Sequence, residues 1–269
     1  MSGRVRHNAI MFLAAPQPTP VDLHLSLAGV PIRVSGWFWV GAALFGWGIC
    51  LALSGGDQRS LLQYLVIWLG AVFCSLLVHE MGHALAYRMF GQEAHVVLYH
   101  LGGLAIPSPW GGRGARRPAE RLFVSAAGPL AQLALAAMLV AVLRVGGYAV
   151  PFPLASIGAP LGLYDGAAIG SRFLFALVVF LLNINIFWPL LNLVPVPPLD
   201  GGQIVREGLA TIGVADSARI AAMIGVVAGG AVAWWGYTHR EPYLAIMFTM
   251  LAVSCFQSLS DDTPWRRWN

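Results

Sequence analysis

Six long blocks of apolar residues constrain the fold of this 269-residue chain more than any other feature of its sequence. A helix needs about 20 apolar residues to cross the hydrocarbon core of a bilayer. Charged residues make up only 10% of the chain, whereas a soluble domain carries about 25%. The sequence therefore predicts an all-α polytopic membrane protein with about six transmembrane helices, at 36–54, 62–88, 120–143, 172–193, 218–236 and 242–259.

Two stretches outside these blocks alternate apolar and polar residues, the pattern of a half-buried strand. The first, near 21–34, has a turn signal at Ala28-Gly29, and the second, near 93–109, has one at Gly102-Gly103. We expect a short β-like segment, folded as a strand pair, at each of these two places.

The distribution of arginine predicts how the chain is oriented in the membrane. All 16 basic residues are arginines, and they are scattered near the ends of the apolar blocks, which is not the pattern of a nucleic-acid-binding surface. If the amino terminus is cytosolic, 12 arginines lie on the cytosolic side, as the positive-inside rule requires. The other four are Arg59, Arg144, Arg172 and Arg240.

This orientation leads to a simple domain organisation. We expect residues 1–20 to form a cytosolic tail and residues 21–269 to form a single membrane-embedded domain. The core of that domain would span 36–205, with two further spans within 218–259. We expect a multi-pass protein of a bacterial cytoplasmic membrane, surrounded by lipid, with both termini in the cytosol.

A group of ionisable residues interrupts the second apolar block, in the stretch SLLVHEMGHALAYRMF (75–90). His79 and His83 are four residues apart, so both imidazoles lie on one face of a helix and can bind a single ion. Glu80 lies beside the water of such a site, where it can act as the catalytic base. Zinc suits this ligand set, and ionisable groups inside a membrane are functional as a rule. The pattern therefore predicts one Zn²⁺ ion, although a polar contact between helices is the alternative.

A third ligand is expected from the stretch NLVPVPPLDGG (192–202), which follows the fourth apolar block. Its prolines end the helix, and its aspartate, Asp200, needs a partner if it lies at membrane depth. A cation would be such a partner, whereas a turn formed by Asp-Gly is the alternative.

Topology supports pairing this aspartate with the two histidines. The second and fourth blocks both run from outside to inside, so both motifs end near the cytosolic face. His79 precedes Arg88 by nine residues, or about 13 Å of helix. The predicted site therefore lies inside the bilayer, below its cytosolic surface.

At these residues the chain resembles the site-2 proteases, which are intramembrane zinc metalloproteases. The resemblance rests on His79-Glu80-x-x-His83, on SAAGPLAQ (125–132) and on NLVPVPPLDGG, in an order and spacing that fit across roughly residues 20 to 205. It implies that His79, His83 and Asp200 are zinc ligands, that Glu80 is the catalytic glutamate and that the β-like segments present an extended substrate.

Two features qualify the resemblance. Many family members have asparagine where this chain has Gln132, so the family role of that position does not carry over directly. Only a short segment follows the last apolar block, so we expect a compact form without a PDZ or CBS domain, regulated by a partner that the sequence does not identify.

The predicted reaction is hydrolysis of a peptide bond in or near a transmembrane segment of another protein. A site inside the bilayer is reached by membrane helices, and a helical substrate must unwind locally to expose its backbone. Asn192, and Asn185 seven residues earlier on the same helix face, are candidate donors to the oxyanion or the substrate. Hydrogen bonding between helices is an equally good interpretation of both.

Three other interpretations remain open from the residues alone. A metal-binding protein or transporter would use the histidines as a transit site, but it would need several weak sites along a path. A catalytically inactive scaffold would not need all four site residues. A CAAX-processing type of peptidase would take a downstream glutamate as its third ligand, and the candidates are Glu93, Glu120, Glu207 and Glu241.

Overall fold

The computed structural model describes residues 17–100, 102–108 and 114–260. Six of its helices are long and apolar enough to cross a membrane, and their bounds differ from the predicted ones by at most four residues. The six helices are α1 (Gly36–Ser54), α2 (Gln58–Met89), α3 (Pro118–Val145), α5 (Arg172–Asn192), α7 (Ser217–Thr238) and α8 (Pro242–Ser260), and two shorter ones, α4 (Ala155–Gly158) and α6 (Asp200–Thr211), lie between them. The predicted polytopic fold is confirmed. Residues 1–16 of the predicted tail lie outside the described residues.

The two predicted β-like segments form one sheet of four strands in the order β1-β2-β3-β4. The first hairpin consists of β1 (Leu23–Leu27) and β2 (Val30–Val34), and the second of β3 (Ala94–Tyr99) and β4 (Gly102–Pro107). The hairpins join because β2 pairs in parallel with β3, although two transmembrane helices separate them in the chain. Local alternation identifies each hairpin but contains no signal for this long-range pairing.

The predicted turn at Gly102-Gly103 is wrong. Tyr99 pairs with Gly102, so both glycines belong to β4 and the chain reverses before them. Gly102 has a φ of +131°, which favours glycine, and Gly103 lies against a side chain of α2 with no room for a Cβ atom. These glycines therefore serve the conformation and close packing of β4.

Polar contacts attach the sheet to the first two transmembrane helices. Asp22 accepts hydrogen bonds from the Thr19 hydroxyl at 2.5 Å, from Arg33 at 2.9 Å and from the Gly36 amide at the start of α1 at 3.3 Å. The Thr19 hydrogen bond, with those of Arg33 and Gly36, lowers the pKa of Asp22 to about 2. Near the end of α2, Arg88 donates to carbonyl oxygens in the turn between β1 and β2. The sheet therefore has a defined position relative to α2.

Helix α6 is not among the predicted helices, because the prolines before it indicated irregular backbone. The prolines end α5 and precede the new helix, and α6 begins at Asp200, where an acidic residue interacts favourably with the helix dipole. Gly201 and Gly202 let this turn pack closely on the preceding loop. An added Cβ at Gly201 would lie 2.2 Å from the Leu193 carbonyl oxygen, and one at Gly202 would lie 2.2 Å from the Pro197 nitrogen.

The main apolar core lies between α1, α2, α5 and the sheet, with Phe38 and Phe180 among its fully buried side chains. Helix α3 packs against α2, α5 and α6 and so occupies the centre of the helix assembly. Helices α7 and α8 pack on each other around Gly225 and Gly229. This arrangement brings α2, α3 and α6 together on the same side as the sheet.

Candidate metal centre and active site

The two histidines of α2 and the first residue of α6 converge on one point. The Nε2 atoms of His79 and His83 lie 3.2 Å apart. Asp200 Oδ2 lies 3.1 Å from His79 Nε2, and Asp200 Oδ1 lies 3.4 Å from His83 Nε2. Both histidines are buried and the aspartate is nearly so. The structure thus brings together all three residues that the sequence analysis selected as ligands.

The spacing of these three donor atoms fits a tetrahedral zinc ion. Ligand atoms about 2.0–2.1 Å from such an ion lie about 3.3–3.4 Å from one another. The Val124 carbonyl accepts the Nδ1 proton of His83 at 2.7 Å, and Gln132 Oε1 accepts that of His79 at 2.9 Å. In neutral imidazoles both Nε2 lone pairs therefore face each other and a carboxylate. Three acceptors converging in a buried space favour a bound cation, and the residues present fit Zn²⁺.

Helix α3 orients both histidines through one of its faces. Val124, Gly128 and Gln132 are spaced four residues apart and lie on that face. An added Cβ at Gly128 would lie 2.2 Å from His83 Nε2, so only glycine leaves room for the imidazole. Sequence reasoning assigned no role to Gln132, although its spacing from Gly128 indicates that it lies on the same face.

Glu80 lies between the donor group and strand β4. Its side chain is buried against Gly103, where an added Cβ would lie 2.4 Å from Glu80 Cγ and 2.5 Å from Oε1. Ala105, two residues further along β4, lines the same cavity as the carboxylate. The glutamate is therefore held beside the histidines and close to a strand that pairs with β3 along one edge.

These groups open into a cavity of about 530 Å³. Its wall consists of residues from α2, α3, α5, α6, α7 and α8, together with β3, β4 and the proline-rich loop. Besides the four site residues, the lining includes Tyr87, Tyr99, Ser125, Trp188, Asn192 and Arg206. The space is large enough for several residues of an extended peptide.

The two candidate asparagines occupy different environments. Asn192 lines the cavity, and its amide donates to the Trp188 carbonyl at 3.2 Å. Asn185 is fully buried and donates to Ser75 Oγ of α2 at 2.8 Å, away from the cavity. The structure thus brings Asn192 to the site, and it places Asn185 in a contact between helices.

The glutamates considered as alternative third ligands are not near the histidines. Within the described part of the chain, His79, His83 and Asp200 form the single group of three or more histidine, cysteine or acidic residues whose ligand atoms come close enough to bind one ion. Glu207 is paired with Arg121 and Arg206, and Glu120 accepts hydrogen bonds from backbone amides before α3.

The fold and the donor group define a class: a multi-pass membrane protein with a His₂Asp group that can hold a metal ion. The family model described as peptidase family M50 matches residues 67–233, and the chain therefore belongs to that family, the site-2 proteases, which are zinc metalloproteases. The zinc cofactor predicted from the sequence agrees with the family and with the donor group.

Curated relatives and a solved structure agree with this assignment. The chain is 30% identical over 217 residues to "Putative zinc metalloprotease Rip3" of Mycobacterium tuberculosis, which covers 76% of this chain and 49% of that protein. It is 30% identical over 189 residues to "Putative zinc metalloprotease sll0528" of Synechocystis, with 68% and 42% covered. The chain thus spans about half the length of these relatives or less.

The fold is similar to that of the structure titled "Site-2 Protease from Methanocaldococcus jannaschii". The TM-score is 0.52 at 21% sequence identity, and the match covers 90% of this chain and 97% of the other. At this identity the likeness supports the fold, and the chemistry rests on the residues of this chain.

Proposed function

We propose that this protein is an intramembrane zinc metalloendopeptidase that cleaves peptide bonds in or near transmembrane segments of other membrane proteins, as in regulated intramembrane proteolysis. The observation that carries the proposal is the convergence of His79, His83 and Asp200 beside Glu80, in a cavity between helices long enough to cross a membrane. Membrane-protein substrates would reach such a cavity within the bilayer.

In this proposal His79, His83 and Asp200 hold the zinc ion, one per chain. When bound, zinc would supply Lewis acidity, which lowers the pKa of a water molecule and polarises a carbonyl group. The Glu80 carboxylate accepts the proton of the attacking water and later donates it to the leaving nitrogen of the substrate. Close packing against Gly103 of β4 keeps that carboxylate in place during both transfers.

Strand β4 is the proposed docking edge for the substrate. Its residues 103–105 line the cavity next to Glu80, and its only strand partner among the described residues is β3. An extended peptide can add to a free strand edge by backbone hydrogen bonds, which requires the substrate helix to unwind. Asn192 is positioned to contact this peptide, whereas we assign Asn185 to the packing of α5 on α2.

The orientation and domain organisation are also part of the proposal. Both termini would be cytosolic, with the metal centre toward the cytosolic side of a bacterial cytoplasmic membrane. Residues 21–269 would form one membrane-embedded domain, with 36–205 as its catalytic core and the two spans within 218–259 beside it. The arginine distribution and the contributions of α7 and α8 to the cavity wall support this organisation.

The transporter interpretation lacks comparable support. Transport requires successive polar sites along a path through the membrane. Residues 17–100, 102–108 and 114–260 contain one group of potential metal ligands, and its ligand atoms lie within 4.8 Å of one another beside a glutamate suited to proton transfer.

The test is cleavage of a membrane substrate by the full chain. Candidate single-span proteins, tagged at both ends, would be co-expressed with wild-type protein or with Glu80→Gln, which is nearly isosteric but cannot accept the proton. We expect a clipped product with the wild type alone. A product formed equally by both proteins would overturn the assignment of Glu80, and no product with a broad substrate panel would overturn the proposed activity.

A further inference from the structure

A buried carboxylate on α6 has no part in the proposed chemistry. Glu207 is 2% exposed and accepts hydrogen bonds from two guanidinium groups. Its Oε2 is contacted by Nε and Nη2 of Arg121 at 2.9 and 2.8 Å, and its Oε1 by Nε and Nη2 of Arg206 at 2.8 and 2.5 Å. Each carboxylate oxygen is thus contacted by two nitrogen atoms of a single arginine. A charge buried in this way is compensated in full, but only while both helices keep their positions.

The Arg121 side of this cluster belongs to the helix face that orients the histidines. Arg121 precedes Val124 by three residues and Gly128 by seven, so all three lie on one stripe of α3 with Gln132. The Val124 carbonyl accepts a hydrogen bond from His83 Nδ1, and Gln132 Oε1 accepts one from His79 Nδ1. The same face of α3 therefore contacts both histidines and binds Glu207.

Glu207 lies on α6, the helix whose first residue is Asp200. Asp200 is the first residue of α6 and Glu207 lies seven residues later, about two helical turns along the same face. The residue before Asp200, Leu199, makes no side-chain cap hydrogen bond, and the preceding loop is rich in proline. The ion pair between Glu207 and Arg121 joins α6 to α3, whereas the pair between Glu207 and Arg206 lies within α6.

We propose that Glu207 is a positioning residue that holds Asp200 at the metal centre through an ionic link from α6 to Arg121 on α3. The proposal rests on the proposed function, because it takes the three-donor group as the zinc site. Loss of the link leaves the two histidines oriented by α3, but the Asp200 carboxylate is no longer held beside them. The expected defect is therefore in metal affinity, and it depends on the presence of the Asp200 carboxylate.

The competing explanation is that Glu207 stabilises the fold without affecting the site. The two explanations differ in a double-mutant cycle, because residues that act through one another are not additive. The substitution Glu207→Gln is suitable, since glutamine keeps the shape but presents an NH₂ group to one of the guanidinium groups. Zinc binding would be measured on full-length metal-free protein in detergent, by competition with a chromophoric chelator, together with thermal unfolding of the metal-free protein.

We expect Glu207→Gln to weaken zinc binding about 10- to 100-fold, the range typical when an outer partner of a metal ligand is lost. In an Asp200→Asn background the same substitution should change zinc affinity less than about twofold, since the donor it positions is already impaired. Glu241→Gln, an isosteric change in the exposed connection between α7 and α8, is the matched control and should leave affinity unchanged.

Arg121→Gln is the second variant and is used if Glu207→Gln fails to fold, because it leaves Glu207 paired with Arg206 while removing the link to α3. It should show the same weakening and the same dependence on Asp200. Equal losses in both backgrounds, or lower thermal stability with unchanged zinc affinity, would overturn the positioning role. If zinc binding by the wild type does not depend on Asp200, the proposed metal site itself fails, which is a separate outcome.

Discussion

Gln132 Oε1 lies 2.9 Å from His79 Nδ1, joining residues 53 positions apart in the chain inside a fully buried environment. The amide oxygen accepts the Nδ1 proton, so the Nε2 lone pair of His79 faces the metal centre. Outer partners of this kind fix the tautomer and the ring orientation of a histidine ligand. Gln132 therefore contacts a predicted ligand at the position where this chain departs from the asparagine common in the family.

Gln132→Leu should weaken zinc binding about 10- to 100-fold, because His79 loses the acceptor that sets its tautomer. The matched control is Gln63→Leu on the exposed face of α2, which should bind zinc like the wild type. Zinc titration of both metal-free proteins checks this prediction. Wild-type affinity in Gln132→Leu would show that the hydrogen bond does not orient His79.

Two glycines predict two different defects. Gly128→Ala should lose zinc, because the new Cβ would overlap the His83 imidazole at 2.2 Å from Nε2. Gly103→Ala should keep zinc but lose most of its turnover, because the new Cβ would displace the Glu80 carboxylate instead. Metal content and substrate cleavage measured on the same preparation distinguish the two defects.

The controls for these variants are Gly230→Ala and Gly70→Ala. Both are helical positions where an added Cβ meets nothing within 4 Å, so neither substitution should reduce zinc content or cleavage. If Gly103→Ala also lost its metal, the separate roles assigned to Glu80 and the histidines would be contradicted.

Asp200→Asn distinguishes a zinc ligand from a residue that only starts a helix. Asparagine is also favourable near a helix start, so the variant should insert and fold normally. It lacks the anionic ligand. Loss of a residue that only orients a metal ligand weakens metal binding about 10- to 100-fold, so loss of a ligand itself should weaken zinc binding at least as much. Chelator competition measures the affinity, and cleavage should be lost with the metal. Wild-type zinc binding and activity in this variant would exclude Asp200 as a ligand.

The proposed orientation predicts the location of four reporter fusions. Fusions after residues 55, 112, 158 and 210 should report outside, inside, outside and inside, since 12 of the 16 arginines lie on the side assigned to the cytosol. A paired set of reporters, one active in the cytosol and one active outside it, measures this. An outside signal at 112 or 210 would contradict the orientation.

The sequence predicted those features that are encoded locally. Apolar runs marked the six long helices, and the spacing of His79 and His83 indicated one helical face. The proline-rich stretch directed attention to Asp200, although not to the helix that begins there. That helix depends on Gly201 and Gly202 packing against the preceding loop, which is a tertiary contact.

Contacts between distant segments were the part that could not be predicted. The pairing of β2 with β3, the acceptor role of Gln132 and the burial of Glu207 between two arginines all depend on how α2, α3 and α6 pack. Glu207 was considered only as an alternative zinc ligand, because charge and sequence position alone do not reveal its partners. Nothing in the sequence favoured Asn185 over Asn192 or the reverse. In the structure Asn192 lines the cavity, whereas Asn185 contacts Ser75 of α2.

X-ray absorption at the zinc edge of the purified full-length protein is the most direct test of the central claim that His79, His83 and Asp200 bind one zinc ion. One zinc per chain is expected, with nitrogen and oxygen neighbours at about 2.0–2.1 Å, a signal from two imidazole rings and four-coordinate geometry. Glu80→Gln should give the same ligand distances, and Asp200→Asn should not. Sulfur neighbours at about 2.3 Å, or a wild-type spectrum retained in Asp200→Asn, would contradict this metal centre.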